Sequence, residues 1–172
     1  MRRVPWLGVL LFFVVATSGS APFRLGLVDV ASVLSLPAGL DMFARILRGI
    51  GPAVGYFVVR RLLHSSVPRT ATFWGMSPAR SACAALVIPA CLTVVGLRNT
   101  APLPPHIDGL LVGTTLVLYA LGEEYGWRGY LQPALESIRL PLRVLLIATL
   151  WYVWHLNFLN AHIPWRAHLT GC

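Results

Sequence analysis

The chain of 172 residues contains no lysine and only six acidic residues, and charged side chains make up 12% of it. An ordinary globular domain carries about 25% charged residues, enough to cover its surface with polar groups. This chain has too few, while apolar residues reach 56% and the mean hydropathy is +0.70. The composition excludes an ordinary water-soluble domain and is that of an integral membrane protein. Cysteine is scarce as well. Cys83, Cys91 and Cys172 form an odd set without metal-ligand spacing, and a disulfide framework is not supported. Cys83 and Cys91 lie within one apolar run and read as small buried hydrophobes. No internal repeat or low-complexity segment is present.

The basic residues are all arginine, 14 against the six acids, for a net charge of +8. Nucleic-acid binding needs a clustered basic stripe on a folded surface. Here the arginines stand singly or in pairs at the edges of apolar runs, the pattern of a polytopic protein obeying the positive-inside rule. Nucleic acid is therefore not an expected partner, and the lipid bilayer is.

A spanning helix needs about 20 mostly apolar residues. The first candidate is Val4 to Ala16, extendable to Phe23, with Arg2 and Arg3 in front. Residues 1–24 then form a first membrane helix. The same profile fits a signal peptide, with Gly19-Ser20-Ala21 as a cleavage site, and the embedded remainder favours retention. Leu25 to Leu40 holds Asp29 and Pro37 and reads as a weak span or an interfacial segment. Phe43 to Leu63 is a stronger span with Gly51-Pro52 inside it, where proline kinks a helix and glycine lets a neighbour approach. Ala79 to Leu97 follows, interrupted by Pro89. Ile107 opens a helix that continues through Glu123, Glu124 and Arg128 to about Leu131, and Leu142 to Phe158 is the final apolar run. The segments His64–Pro78 and Arg98–Asp108 read as loops, and 161–172 as a polar tail. The expected fold is all-α, a polytopic membrane helix bundle with four to six membrane segments. With Arg2 and Arg3 cytoplasmic, Arg60, Arg61, Arg69, Arg80, Arg128, Arg139 and Arg143 also fall inside. Arg24, Arg45, Arg48, Arg98 and Arg166 fall outside, a nine-to-five split that supports this orientation.

Two segments carry chemistry. In Gly122-Glu123-Glu124-Tyr125-Gly126-Trp127-Arg128-Gly129-Tyr130, three charges end an apolar helix. At the centre of a span each would cost about 2.5–3.5 kcal/mol on insertion scales. Glu124 and Arg128 are four apart and share a face, so they can pair. Glu123 is turned about 100° from Glu124 and can meet a different partner. An ion pair at a helix end, with Trp127 and Tyr130 as an interfacial aromatic belt, explains everything here except the second carboxylate. The other segment is Trp151-Tyr152-Val153-Trp154-His155, where Trp151 and His155 share a face of the last apolar run. A lone histidine on an apolar helix is more often a hydrogen-bonded core residue than a ligand. Within a membrane it is a functional candidate whose partner must be named, and Glu123 or Glu124 is in reach if the two helices pack antiparallel. Carboxylate and imidazole together can activate water and steady the charge that follows.

Glu123-Glu124-x-x-x-Arg128 followed by Trp151-x-x-x-His155 resembles the CPBP intramembrane proteases: CAAX prenyl endopeptidases, Abi bacteriocin-immunity proteins and lysostaphin-resistance-like proteins. The likeness to bacterial members runs from Gly122 to Phe158, and Gly51-Pro52-Ala53 is similar to a recurrent segment of an earlier helix. The resemblance implies a membrane-embedded protease domain over 25–160, in a multi-pass protein of the bacterial cell membrane. It implies an endopeptidase acting on a membrane-associated peptide or protein, of which a prenylated CAAX-type carboxyl terminus is one form. It makes Glu123 the general base, gives Glu124 and Arg128 the task of holding the motif, and gives His155 that of placing water or stabilising the oxyanion. Trp151 stands where the family usually has phenylalanine.

The chain also departs from the family, which has a further His-x-x-x-Asn-like motif on a later helix. Only 17 residues follow His155, and neither His162 with Arg166 nor His168 with Cys172 fits. An incomplete domain is expected on that account, and one missing oxyanion donor is typically worth 10²–10³ in kcat. No His-Glu-x-x-His motif is present. A Glu/His zinc site is conceivable, since zinc accepts both ligands, but the expectation is no metal and no cofactor. Two rival functions remain: a catalytically inactive remnant or immunity-type binder, and a small transporter using Glu and His as a proton relay.

Overall fold

Runs of apolar residues bounded by prolines and arginines become helices in the computed structural model. It describes residues 3–37, 40–63, 77–97 and 103–162, with the side chains at 41, 78 and 157–162 outside the description. The described residues are all-α, as expected. Five long helices are α1 (Trp6–Arg24), α2 (Gly51–Leu63), α3 (Pro78–Val95), α4 (Pro105–Gly126) and α5 (Leu140–His162). A 3₁₀ segment, Asp41–Gly49, leads into α2 at a bend of 43°. The Gly51-Pro52 kink expected inside one span is therefore a change of helix type at Ile50. α4 runs through a widened π turn, Trp127–Leu131, into Gln132–Ala134.

Proline at the first helical position has its φ preset and loses no hydrogen bond. Pro78 and Pro105 open α3 and α4 in this way. α3 keeps Pro89 in its interior and stops at Gly96, whose φ of 74° suits glycine. The described part of Leu25 to Leu40 holds no span but one helical turn, Val30–Val33, capped by Asp29. The expected loop at 64–78 and the tail 161–172 lie largely outside the described residues, as do Arg2, Arg69, Arg98, Arg166, His168 and Cys172; the loop expected over 98–108 ends sooner, because Pro105 opens α4.

By length and apolarity, α1 qualifies to cross a membrane among the described residues, and the bent pair 42–49 plus 51–63 makes a second candidate. Ala79–Val95 and Leu140–Leu156 are shorter apolar helices.

Glycines set how closely the helices approach, through three Gly-x-x-x-Gly pairs that each serve a different neighbour. Gly51 lies against the Ala16 carbonyl, and a Cβ on Gly55 would stand 3.0 Å from Phe12, so this pair seats α2 on α1. Gly109 and Gly113 seat α4 on Leu92 and Pro89 of α3. Gly122 and Gly126 bring the end of α4 against Gly49 and Pro52, at the bend before α2. The core between α1, α2, α4 and α5 is aromatic: Phe12 meets Trp127 edge-on at 5.5 Å, and Trp127 meets Trp154 at 5.7 Å.

Three expectations are corrected by this packing. Trp127 and Tyr130 are core residues, 5% and 0% exposed, and not an interfacial belt. Cys83 and Cys91 are exposed, because α3 turns its glycine-contacting face to α4 and leaves the cysteines outside. Arg24, counted among the loop charges, is buried at 4% exposure in the interior.

Candidate active site

The Gly122–Gly126 pair leaves no side chain between the end of α4 and the α2 bend, so the two carboxylates that it brackets project from a closely held backbone. Their surroundings differ. Glu124 forms an ion pair with Arg128 one turn on; the Arg128 side chain is largely exposed and that of Glu124 partly so. Glu123 is half-buried, within electrostatic range of Arg24, Glu124 and His155. Tyr119, one turn before Glu123 on α4, is hydrogen-bonded to both the Glu123 carboxylate and the Arg24 guanidinium.

His155 on α5 lies within electrostatic range of Glu123, so the carboxylate and the imidazole of the two sequence motifs share one electrostatic environment. The His155 Nδ1 lies 2.8 Å from the Trp151 carbonyl oxygen. A carbonyl only accepts, so Nδ1 carries the proton, and in the neutral ring Nε2 is an acceptor. The ring is held between Trp151 and Trp154, with centroids at 3.9 and 4.7 Å.

Arg24 is the residue that sequence reading missed. Its Nε donates to the Arg48 carbonyl at 2.8 Å and its Nη1 to the Trp154 carbonyl at 2.7 Å. The guanidinium carbon lies 3.2 Å from the centre of the Trp154 ring. That indole in turn donates its Nε1–H to the Ala16 carbonyl at 3.1 Å, binding α5 to α1. Tyr119 was missed too, although its spacing of four from Glu123 was a usable signal. Arg24 offered only the oddity of a charge closing an apolar run, with its partners far along the chain.

A cleft of about 450 Å³ opens beside the carboxylates, lined by Glu123, Glu124, Arg128, Trp127, Trp151 and Arg143 among others. His155 stands one helical turn beyond Trp151. Glu123 Oε1, Glu124 Oε2 and Trp127 Nε1 are buried without a hydrogen-bond partner. Buried polar atoms without partners are uncommon, and two acceptors and a donor at one cleft are a set that water or a peptide can satisfy. Among the described residues no group of three or more His, Cys, Asp or Glu is placed to hold a metal.

Residues 106–170 match the model of the type II CAAX prenyl endopeptidase Rce1-like family. The matched segment, over a third of the chain, holds Glu123, Glu124, Arg128 and His155, and it excludes α1 and Arg24. No curated protein and no solved structure matches the chain. In the matched segment and in the two motifs inside it, the chain is similar to the Rce1-like type II CAAX prenyl endopeptidases.

Proposed function

We propose that the protein is a CAAX-type intramembrane endopeptidase, embedded in a membrane through several helices and cutting a peptide bond of a membrane-associated, prenylated substrate by Glu-activated water. The observation that carries this reading is the partnerless Glu123 Oε1 at the cleft, on a carboxylate within electrostatic range of His155.

Glu123 takes a proton from water as the water oxygen bonds to the scissile carbonyl carbon. The carbonyl oxygen becomes an oxyanion, and collapse breaks the C–N bond as Glu123 returns the proton to the leaving amine. In its neutral form His155 accepts a hydrogen bond from the attacking water through Nε2, which places the water. To donate to the oxyanion the ring must first be protonated. Glu124 and Arg128 hold the end of α4 and the charge balance of the motif. The neighbouring apolar helices keep bulk water out, which strengthens every charge–dipole contact inside.

Cleavage of a fluorogenic farnesylated CAAX peptide by the protein in lipid nanodiscs tests the reading, with Glu123→Gln as the control. Turnover by the parent and none by Glu123→Gln supports it. Equal turnover by the two removes Glu123 from the mechanism, and binding of the peptide without turnover leaves a non-catalytic membrane binder.

A further inference from the structure

The general base and the histidine sit on different helices, and nothing in either motif explains what sets their separation. Arg24 lies outside both motifs and outside the matched segment, at the end of α1, yet it touches the supports of both. On one side it is bonded to the Trp154 carbonyl, the residue immediately before His155, and its guanidinium lies over the Trp154 ring. On the other side it is hydrogen-bonded to Tyr119, which is hydrogen-bonded to Glu123. A third bond, to the Arg48 carbonyl, ties the same guanidinium to the 3₁₀ segment that packs beneath the end of α4.

We infer that Arg24 is a positioning residue of the active site, acting on Glu123 through Tyr119 and on His155 through the Trp154 carbonyl, so that α1 sets the distance between base and histidine. Three features of the side chain suit the task. The guanidinium is planar with five fixed donors, so several acceptors can be held at once without loss of geometry. It is buried, so its charge is little screened and its contacts have no competition from water. It balances the charge of Glu123 as Arg128 balances that of Glu124, leaving no buried carboxylate at the site without a cation near it. Tyr119 transmits the placement because a hydroxyl both donates and accepts: it accepts from Arg24 and donates to the carboxylate.

The inference rests on the proposed protease reading for its catalytic consequence, though not for its geometry. Both are tested on the full chain in lipid nanodiscs, as the parent and as Arg24→Gln, Arg24→Lys, Tyr119→Phe and Arg24→Gln/Tyr119→Phe. Infrared difference spectra identify the Glu123 carboxyl band by its loss in Glu123→Gln. The expected result is that Tyr119→Phe and Arg24→Gln each shift that band. In the peptide assay, Arg24→Gln is expected to lower kcat about 100-fold with KM within about twofold, since misplacement of about 1 Å costs about 10²-fold. Arg24→Lys should recover part of the loss by keeping the charge. The double variant should be no worse than Arg24→Gln alone, because both changes break one relay. An unmoved band in Tyr119→Phe, which removes one oxygen and leaves the fold intact, overturns the relay whether or not peptide is cleaved. Additive losses, or a loss confined to KM, overturn it as well. A shifted band in a protein that cleaves nothing sustains the Arg24 relay and ends the protease reading alone.

Discussion

The two carboxylates of Glu123-Glu124 are neighbours in the chain, and each has an arginine, but the two pairs are built differently. Glu124 and Arg128 belong to one helix turn, with side chains 44% and 71% exposed. Their pairing needs only an α4 helix, and an exposed ion pair of this kind is worth about 0–1 kcal/mol. Glu123 is joined to Arg24 through Tyr119, across a helix interface and nearly a hundred residues of sequence. That pairing exists only when α1, α4 and α5 are assembled, and its arginine is buried. A local pair can be kept through almost any rearrangement, whereas a long-range pair reports that the bundle has closed. The proposed catalytic roles follow the same division, with the exposed pair holding the motif's shape and the long-range one presenting the base.

Breaking the buried side should have the largest effect. Glu123→Gln removes the only proton acceptor assigned to the water, and cleavage of the farnesylated peptide is expected to fall by at least about 10³-fold, at the upper end of what acid–base groups and oxyanion donors supply. Trp154→Ala, which empties a fully buried indole site and drops the bond to Ala16, should destabilise the bundle by about 3–5 kcal/mol. That loss is read as the unfolding midpoint in sodium dodecyl sulfate titrations. Gly126→Ala drives a methyl group into the Pro52 carbonyl and should lower the same midpoint by about 1–3 kcal/mol, the usual range for overpacking. The smallest effects belong to the exposed pair. Arg128→Lys keeps the charge but not the fork, and a change in turnover of less than about tenfold is expected. Raising the salt to 1 M, where the screening length is about 3 Å, should weaken the Glu124–Arg128 contact and leave the Arg24 contacts intact. A salt effect larger in Arg24→Gln than in the parent would sharpen the contrast, since the cations left beside the carboxylates, Arg128 and Arg143, line the open cleft.

Much of the helical frame was legible because apolar runs bounded by proline, glycine and arginine mark helix ends directly. The starts of α3 and α4 and the continuation of α4 past Glu124 fall where the sequence suggests. The Glu124–Arg128 pair was legible from a spacing of four. Trp127 and Tyr130 were misread because an aromatic at the end of a membrane helix has the same sequence signature whether it faces headgroups or a core. The three Gly-x-x-x-Gly pairs are plain in the sequence, yet which helix each one meets is a matter of tertiary packing. Arg24 was beyond reach for the same reason. A charge closing an apolar run looks like a loop anchor until the acceptors on Trp154 and Tyr119 are seen beside it.

The bonds that join α1 to α5 also give the protein a clock. The Arg24–Trp154 contact spans 130 residues and the Trp154–Ala16 contact 138. At about 5–20 residues per second of synthesis, roughly 7 to 26 s pass between the emergence of Arg24 and of the helix turn that receives it. Late in that interval Glu123 has already been made, but the helix that carries His155 has not arrived and the guanidinium has not bonded to it. On the proposed protease reading, an enzyme assembled in this order stays silent while it is being made, and its cutting edge forms only as α5 docks against α1.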